Sequence, residues 1–177
     1  MMADGIGVLI CGLGRCGTSA VMRMLEAGGH PVHGTAPAYE PDTIFTQGLD
    51  AERGAAIKII DPHYCPQLPK VTKAVWLNRD TKQQALSQLR FMGVPENRRN
   101  VRTLSSALRA ERSEALSHLE GMEVLRLSFE TIINTPTLGA GLIARHLSRG
   151  LDEAAMAAVI HRRRAAALDE PIEWQAA

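Results

Sequence analysis

The most constraining feature of the chain lies near its start. Ile6-Gly7-Val8-Leu9-Ile10-Cys11 is a nearly continuous apolar run, the pattern of a strand buried on both faces of a parallel sheet. Gly12-Leu13-Gly14-Arg15-Cys16-Gly17 follows at once, and Thr18 or Ser19 opens a helix with Val21, Met22, Met24 and Leu25 available for packing. Gly28-Gly29 closes that helix, because glycine tolerates the left-handed backbone found past a helix C-terminus. A buried strand that turns through glycines into a helix aims backbone N–H groups and the positive end of the helix dipole at one spot. The segment therefore predicts an anion site on an α/β scaffold.

The rest of the chain fits that scaffold. Further strands are predicted at Ala56-Ile57-Lys58-Ile59-Ile60, at Lys73–Asn78 and at the alternating run Glu123–Ser128. Helices are predicted from Thr81 or Asp80 to Gly93, over Val101–Leu119, and at about Thr137–Leu147 and Asp152–Ala167. His30 to Gly54, broken by Pro31, Pro37 and Pro41, reads as mostly irregular, and the three prolines between Asp61 and Lys70 make that stretch a loop. Strands alternating with helices imply a parallel sheet covered by helices. A length of 177 residues suits a single domain over 1–177.

Composition removes several function classes. Lys and Arg total 20 against 19 Asp and Glu, a formal charge of +1, so neither a strongly basic nucleic-acid surface nor a polybasic membrane anchor is expected. Aromatic residues are only 4%, too few for a platform of stacked bases. The longest apolar stretch, Ile6 to Leu13, falls far short of the roughly 20 residues of a membrane span. Met1–Gly5 carries no basic residue, which argues against a signal peptide. Cys11, Cys16 and Cys65 lack disulfide or zinc spacing, so no metal site and a reducing cytoplasm are expected. Arg162-Arg163-Arg164, the one charge run, reads as a solvated helix end favoured by the helix dipole.

The glycine turn admits several readings. Gly12-x-Gly14-x-x-Gly17 satisfies the dinucleotide fingerprint and would make the protein an NAD(P)-dependent Rossmann oxidoreductase. That reading needs a second strand at Pro31–Thr35 beside the first, and the acidic ribose ligand that should follow is replaced by Thr35-Ala36-Pro37. Gly12-x-x-x-x-Gly17-Thr18-Ser19 also fits the P-loop frame, with Thr18 in place of the lysine that reaches the outer phosphates. Asp61 at the end of a strand keeps a magnesium-binding version open. A cysteine-phosphatase loop fails on spacing, since Cys11 meets Gly17 and Cys16 meets Met22 where an arginine is needed. Both cysteines then read as small buried or loop residues, and a turn with no ligand is the remaining reading.

More than one segment points further. Gly12-Leu13-Gly14-Arg15-Cys16-Gly17-Thr18-Ser19 resembles the sulfotransferase loop G-L-P-R-S-G-T-S, which grips the 5′-phosphosulfate of PAPS (3′-phosphoadenosine 5′-phosphosulfate). Met22-Arg23-Met24-Leu25-Glu26-Ala27-Gly28-Gly29 looks like the bacterial members of that family. Val75-Trp76-Leu77-Asn78-Arg79-Asp80, with Ser87 in the helix beyond, resembles its second signature, in which Arg and Ser hold the 3′-phosphate. Lys58 to Pro69 is similar to the family's K-D-P-R region, and Leu127-Ser128-Phe129-Glu130-Thr131-Ile132-Ile133-Asn134-Thr135-Pro136 to its Y-E-D-L-x-x-x-P segment.

The resemblance implies a three-layer, P-loop NTPase-like α/β domain with a mostly parallel sheet of about 4–5 strands. It implies sulfuryl transfer from PAPS, leaving PAP, to a small acceptor with a hydroxyl or amine, with no obligatory metal and with room for a homodimer. Gly12, Gly14, Arg15, Cys16, Gly17, Thr18 and Ser19 then belong to the 5′-phosphosulfate, and Arg79 and Ser87 to the 3′-phosphate. Arg15 can grip phosphate or sulfonate with its planar fork, and Lys58 can stabilise charge on the bridging oxygen. An acceptor that loses a proton needs a base, for which Glu40, Asp61 and His63 are the candidates. Gly14 stands for proline and Cys16 for serine in the first motif, and His63 for an arginine in the third. These departures, with the short chain, keep open a nucleotide-binding or interaction module with a decayed site.

Overall fold

The computed structural model describes residues 7–39, 54–66, 68–69 and 71–160. The apolar run at the start forms strand β1, Val8–Gly12, with every residue buried. Strands β2 (Ala56–Ile60), β3 (Lys73–Asn78) and β4 (Glu123–Ser128) lie where the apolar runs predict them. All pair in parallel in the order β2-β1-β3-β4. Parallel pairing needs crossover connections: α1 (Thr18–Ala27) joins β1 to β2, α2 (Thr81–Phe91) and α3 (Arg98–Ser117) join β3 to β4, and the β2-to-β3 connection contains only a short 3-10 turn among its described residues. After β4 come α4 (Phe129–Asn134), α5 (Pro136–Leu147) and α6 (Glu153–Ala158).

Strand periodicity sorts the core into two layers of apolar contact. Val8 and Ile10 of β1, with Val75 and Leu77 of β3, pack against Met22 and Leu25 of α1, Ile143 of α5 and Met156 of α6. Leu9, Cys11, Ile57, Ile59 and Trp76 face the other way, onto Ala85 of α2 and Leu108 and Ala115 of α3. Each fully buried large apolar side chain contributes about 1.5–3 kcal/mol. The result is the three-layer α/β fold of P-loop type that the sequence predicts, with a four-stranded parallel sheet.

Several boundaries differ from expectation for identifiable reasons. Helix α3 starts at Arg98 rather than Val101, because the Asn97 side chain accepts the Asn100 N–H at 2.8 Å and caps the helix earlier. Helix α5 starts at Pro136, whose fixed φ suits a first helical position. The short α4 has no sequence-stretch periodicity of its own; Ser128 caps it by accepting the Thr131 N–H. A 3-10 turn, Pro62–Tyr64, sits inside the proline-rich loop. Among the described residues α6 ends at Ala158, and the expected continuation to Ala167 lies largely outside them.

The strand that a Rossmann reading requires is missing. Pro31–Thr35 forms only one bridge, Val32 with Ala56, which puts it beside β2 rather than beside β1. That removes the main support for an NAD(P)-dependent oxidoreductase. No helix among the described residues is long and apolar enough to cross a membrane.

Candidate anion-binding site

Chain order places a divergence at the centre of the sheet. From β1 the chain proceeds to β2 on one side, and from β3 to β4 on the other. The C-terminal ends of β1 and β3 therefore open a crevice, the usual ligand position in open parallel sheets. The glycine loop leaves β1 into this crevice, and Arg79 follows directly after β3.

The backbone of the loop is specialised. Arg15 has φ 65° and Gly17 φ 102°, both left-handed. Gly17 is the N-cap of α1, and a Cβ there would overlap the Phe129 ring. Glycine is thus required by both backbone conformation and neighbour. Among the described residues no side chain caps α1 and no acidic residue occupies its first turn. Helices α2, α3, α4 and α6 each carry a side-chain cap. An uncapped N-terminus leaves N–H groups and positive dipole facing the crevice.

Three of the predicted residues come together on one side of the loop. Arg15 Nε donates to Ser87 Oγ at 3.4 Å, and Arg79 Nη1 donates to the Arg15 carbonyl at 3.1 Å. Aromatic faces orient both guanidinium groups: Phe91 lies 5.2 Å from Arg15 and Phe129 4.6 Å from Arg79, ring centroid to Cζ. Arg112 of α3 joins them by donating from Nη2 to the Arg79 carbonyl at 3.3 Å.

Lys58 and Ser19 meet on the other side. Lys58 points to the α1 face of β2 and is only 2% exposed. Its Nζ donates to Ser19 Oγ at 3.0 Å and to the Ala38 carbonyl. Thr18 is buried at the start of the same helix.

Asp61 and His63 occupy the turn after β2. Asp61 has φ 51°, its N–H donates to the Gly12 carbonyl at 3.0 Å, and its Oδ1 accepts the Gly14 N–H at 3.0 Å. Burial raises the carboxyl above its ordinary range, partly offset by the Gly14 N–H and by His63. The ring nitrogens of His63 are buried without a hydrogen-bond partner among the described residues, and the ring leans on Tyr64. Glu40 lies outside the described residues. Cys16 is buried under the loop beside Gly12, and desolvation pushes its thiol up to about 12. Cys11 is driven up further by burial. Neither is a thiolate nucleophile, in line with the sequence reading.

Sequence reasoning missed two contributors. Gln84, 1% exposed, donates from Nε2 to the carbonyls of Leu13 and Gly14 at 3.1 and 2.8 Å, so α2 props the loop from beneath. Its spacing after the Arg-Asp pair, in a helix otherwise read for apolar periodicity, is the one signal available. Arg112 sits in a helix rich in arginine, and its convergence on Arg79 follows from tertiary packing alone.

No family model matches the chain, and no curated protein matches it in sequence. Among solved structures it is similar to a retinol dehydratase whose crystal structure holds androsterone and the inactive cofactor PAP. The TM-score is 0.57 at 14% identity, over 85% of this chain and 62% of that one. The chain therefore spans less than two thirds of that enzyme's length, and the likeness establishes a shared fold.

Proposed function

We propose that the protein is a sulfotransferase-like enzyme that uses PAPS to sulfonate a small acceptor bearing a hydroxyl or an amine. The observation that carries this reading is the gathering of Arg15, Arg79 and Ser87 beside an uncapped helix N-terminus at the divergence of β1 and β3. Planar guanidinium forks at such a place suit charge-assisted, bidentate contacts with phosphate or sulfonate oxygens. A solved structure of the same fold contains PAP.

The donor set fits a nucleotide with two separated anionic groups. Gly12, Gly14, Arg15, Cys16, Gly17, Thr18 and Ser19 would hold the 5′-phosphosulfate by loop amides, hydroxyls and the Arg15 fork. Arg79 and Ser87 would hold the 3′-phosphate. When bound, PAPS supplies a sulfuryl group attached to a phosphate that departs with PAP. Lys58, tied to Ser19, balances negative charge at the start of α1. Of the base candidates with a described environment, Asp61 is favoured: it sits against the loop, and burial strengthens its hold on a proton. The covered ring nitrogens of His63 argue against exchange with an acceptor.

One contact favours a second reading, a nucleotide-binding or interaction module with a weakened site. Asp61 already accepts the Gly14 N–H that an anion would use. Transfer of labelled sulfate from PAPS to a panel of alcohols and amines separates the two, since a binding module transfers none. Calorimetric titration with PAP tests nucleotide binding itself: saturable binding that needs no magnesium is expected, and no heat with or without magnesium overturns the sulfotransferase reading and the nucleotide-binding module alike.

A further inference from the structure

Lys58 poses a physical problem that the site itself does not answer. An ammonium group on a side chain 2% exposed must be matched by acceptors in the fold. One is Ser19 Oγ, and another is the Ala38 carbonyl, which also accepts from Ser19 Oγ at 3.4 Å. Ala38 belongs to no helix or strand, so something must hold its carbonyl in place.

That something is Tyr39. Its side chain is fully buried in the core layer that contains Met22 and Leu25 of α1, and its hydroxyl donates to Glu26 Oε2 on the same helix. Its N–H donates to the Thr35 carbonyl at 2.8 Å, closing the turn that carries Ala38. Gly34, at φ 81°, lies so close to the Tyr39 backbone that a Cβ would come within 2.9 Å of it. Tyr39 itself has φ 54°, a conformation disfavoured for a bulky residue and kept only where the surroundings over-determine it.

We infer that Tyr39, latched to Glu26, is a positioning residue that presses the Ala38 carbonyl onto Lys58 and Ser19 and so sets both groups at the start of α1. Its meaning for ligand binding rests on the function proposed above; the latch itself does not.

Two measurements decide it. In the ligand-free protein, hydrogen exchange of the Lys58 ammonium is followed by NMR in the wild type, Tyr39→Phe and Glu26→Ala. Both variants should speed that exchange by about tenfold, the loss of one net hydrogen bond, while the backbone amide spectrum stays native. Unchanged exchange in both overturns the inference. Glu26 is exposed, so Glu26→Ala decides the matter even if Tyr39→Phe unfolds. For ligand binding, PAP affinity is measured in a double-mutant cycle of Tyr39→Phe and Lys58→Met. Tyr39→Phe should weaken binding about 3- to 10-fold, and that effect should vanish in the Lys58→Met background. Additive losses would show that Tyr39 does not act through Lys58. Absence of PAP binding in the wild type sinks the proposed function, and ammonium exchange still decides the latch.

Discussion

Gln84 shows how much a single buried amide can support. Its Nε2 donates to the Gly14 carbonyl and adds a second donor to the Leu13 carbonyl, which also accepts the Cys16 N–H at 3.2 Å. Gln84→Leu keeps the volume and removes both of these hydrogen bonds, so unfolding in denaturant should report a loss of about 1–3 kcal/mol. Gly17→Ala combines a left-handed φ with overlap on Phe129 and should lose about 2–4 kcal/mol by the same assay. The cysteines make a chemical prediction. All three are buried, and the Cys16 thiol is raised to about 12, so at pH 8 an aromatic disulfide reagent should find none of them until the protein unfolds. Rapid native labelling of Cys16 would contradict its burial. The requirement for Gly17 was readable from the sequence, because only a few turn types place glycine between a strand and a helix. Gln84 was not, because a helix-surface glutamine and a loop prop look alike until the helix is docked.

At the scale of elements, α1 is held from both ends. Its C-terminal turn is closed by Gly29 at φ 82° and by the His30 N–H on the Leu25 carbonyl at 2.9 Å. Met156 of α6, fully buried, packs on Gly28, where a Cβ would meet its side chain at 2.6 Å. Met156→Ala should therefore lose about 2–5 kcal/mol. His30 links this end to pH. Burial, with Arg149 beside it, lowers its pKa from 6.5 to about 4. The unfolded chain then binds more protons than the native one between about pH 6.5 and 4, so stability falls as the solution is acidified through that window. The loss reaches about 2–3 kcal/mol. Asp61, whose carboxyl is raised by burial, acts with the opposite sign at the acid end. His30→Gln should flatten the decline in denaturation midpoint measured from pH 7 to 4. Strands and most helices were legible because burial on both faces writes continuous apolar runs. Helix α4 and the early start of α3 were not, because capping side chains rather than periodicity set them.

Across the whole molecule, near-neutral charge goes with a local gathering of arginines. The chain carries 20 basic and 19 acidic residues, yet Arg15, Arg79 and Arg112 are chained by hydrogen bonds at one crevice. Under the proposed function Arg79→Ala should weaken PAP binding about 10- to 100-fold, the worth of a charge-assisted contact. Arg112→Ala should cost less, since Arg112 reaches the cluster through the Arg79 carbonyl. Calorimetry on both variants checks the order, and equal affinity in wild type and Arg79→Ala would remove Arg79 from the site. The amino-acid sequence by itself determined the parallel strands, the glycine turn and the two motifs that resemble a sulfotransferase, because local sterics and burial patterns are written in consecutive residues. Only the tertiary structure decided which groups meet. It denied Pro31–Thr35 a place beside β1, brought Gln84 under the loop and Arg112 to Arg79, and turned the Ala38 carbonyl onto Lys58. Those pairings join residues far apart in the chain, and their geometry depends on how helices dock on the sheet rather than on any local pattern.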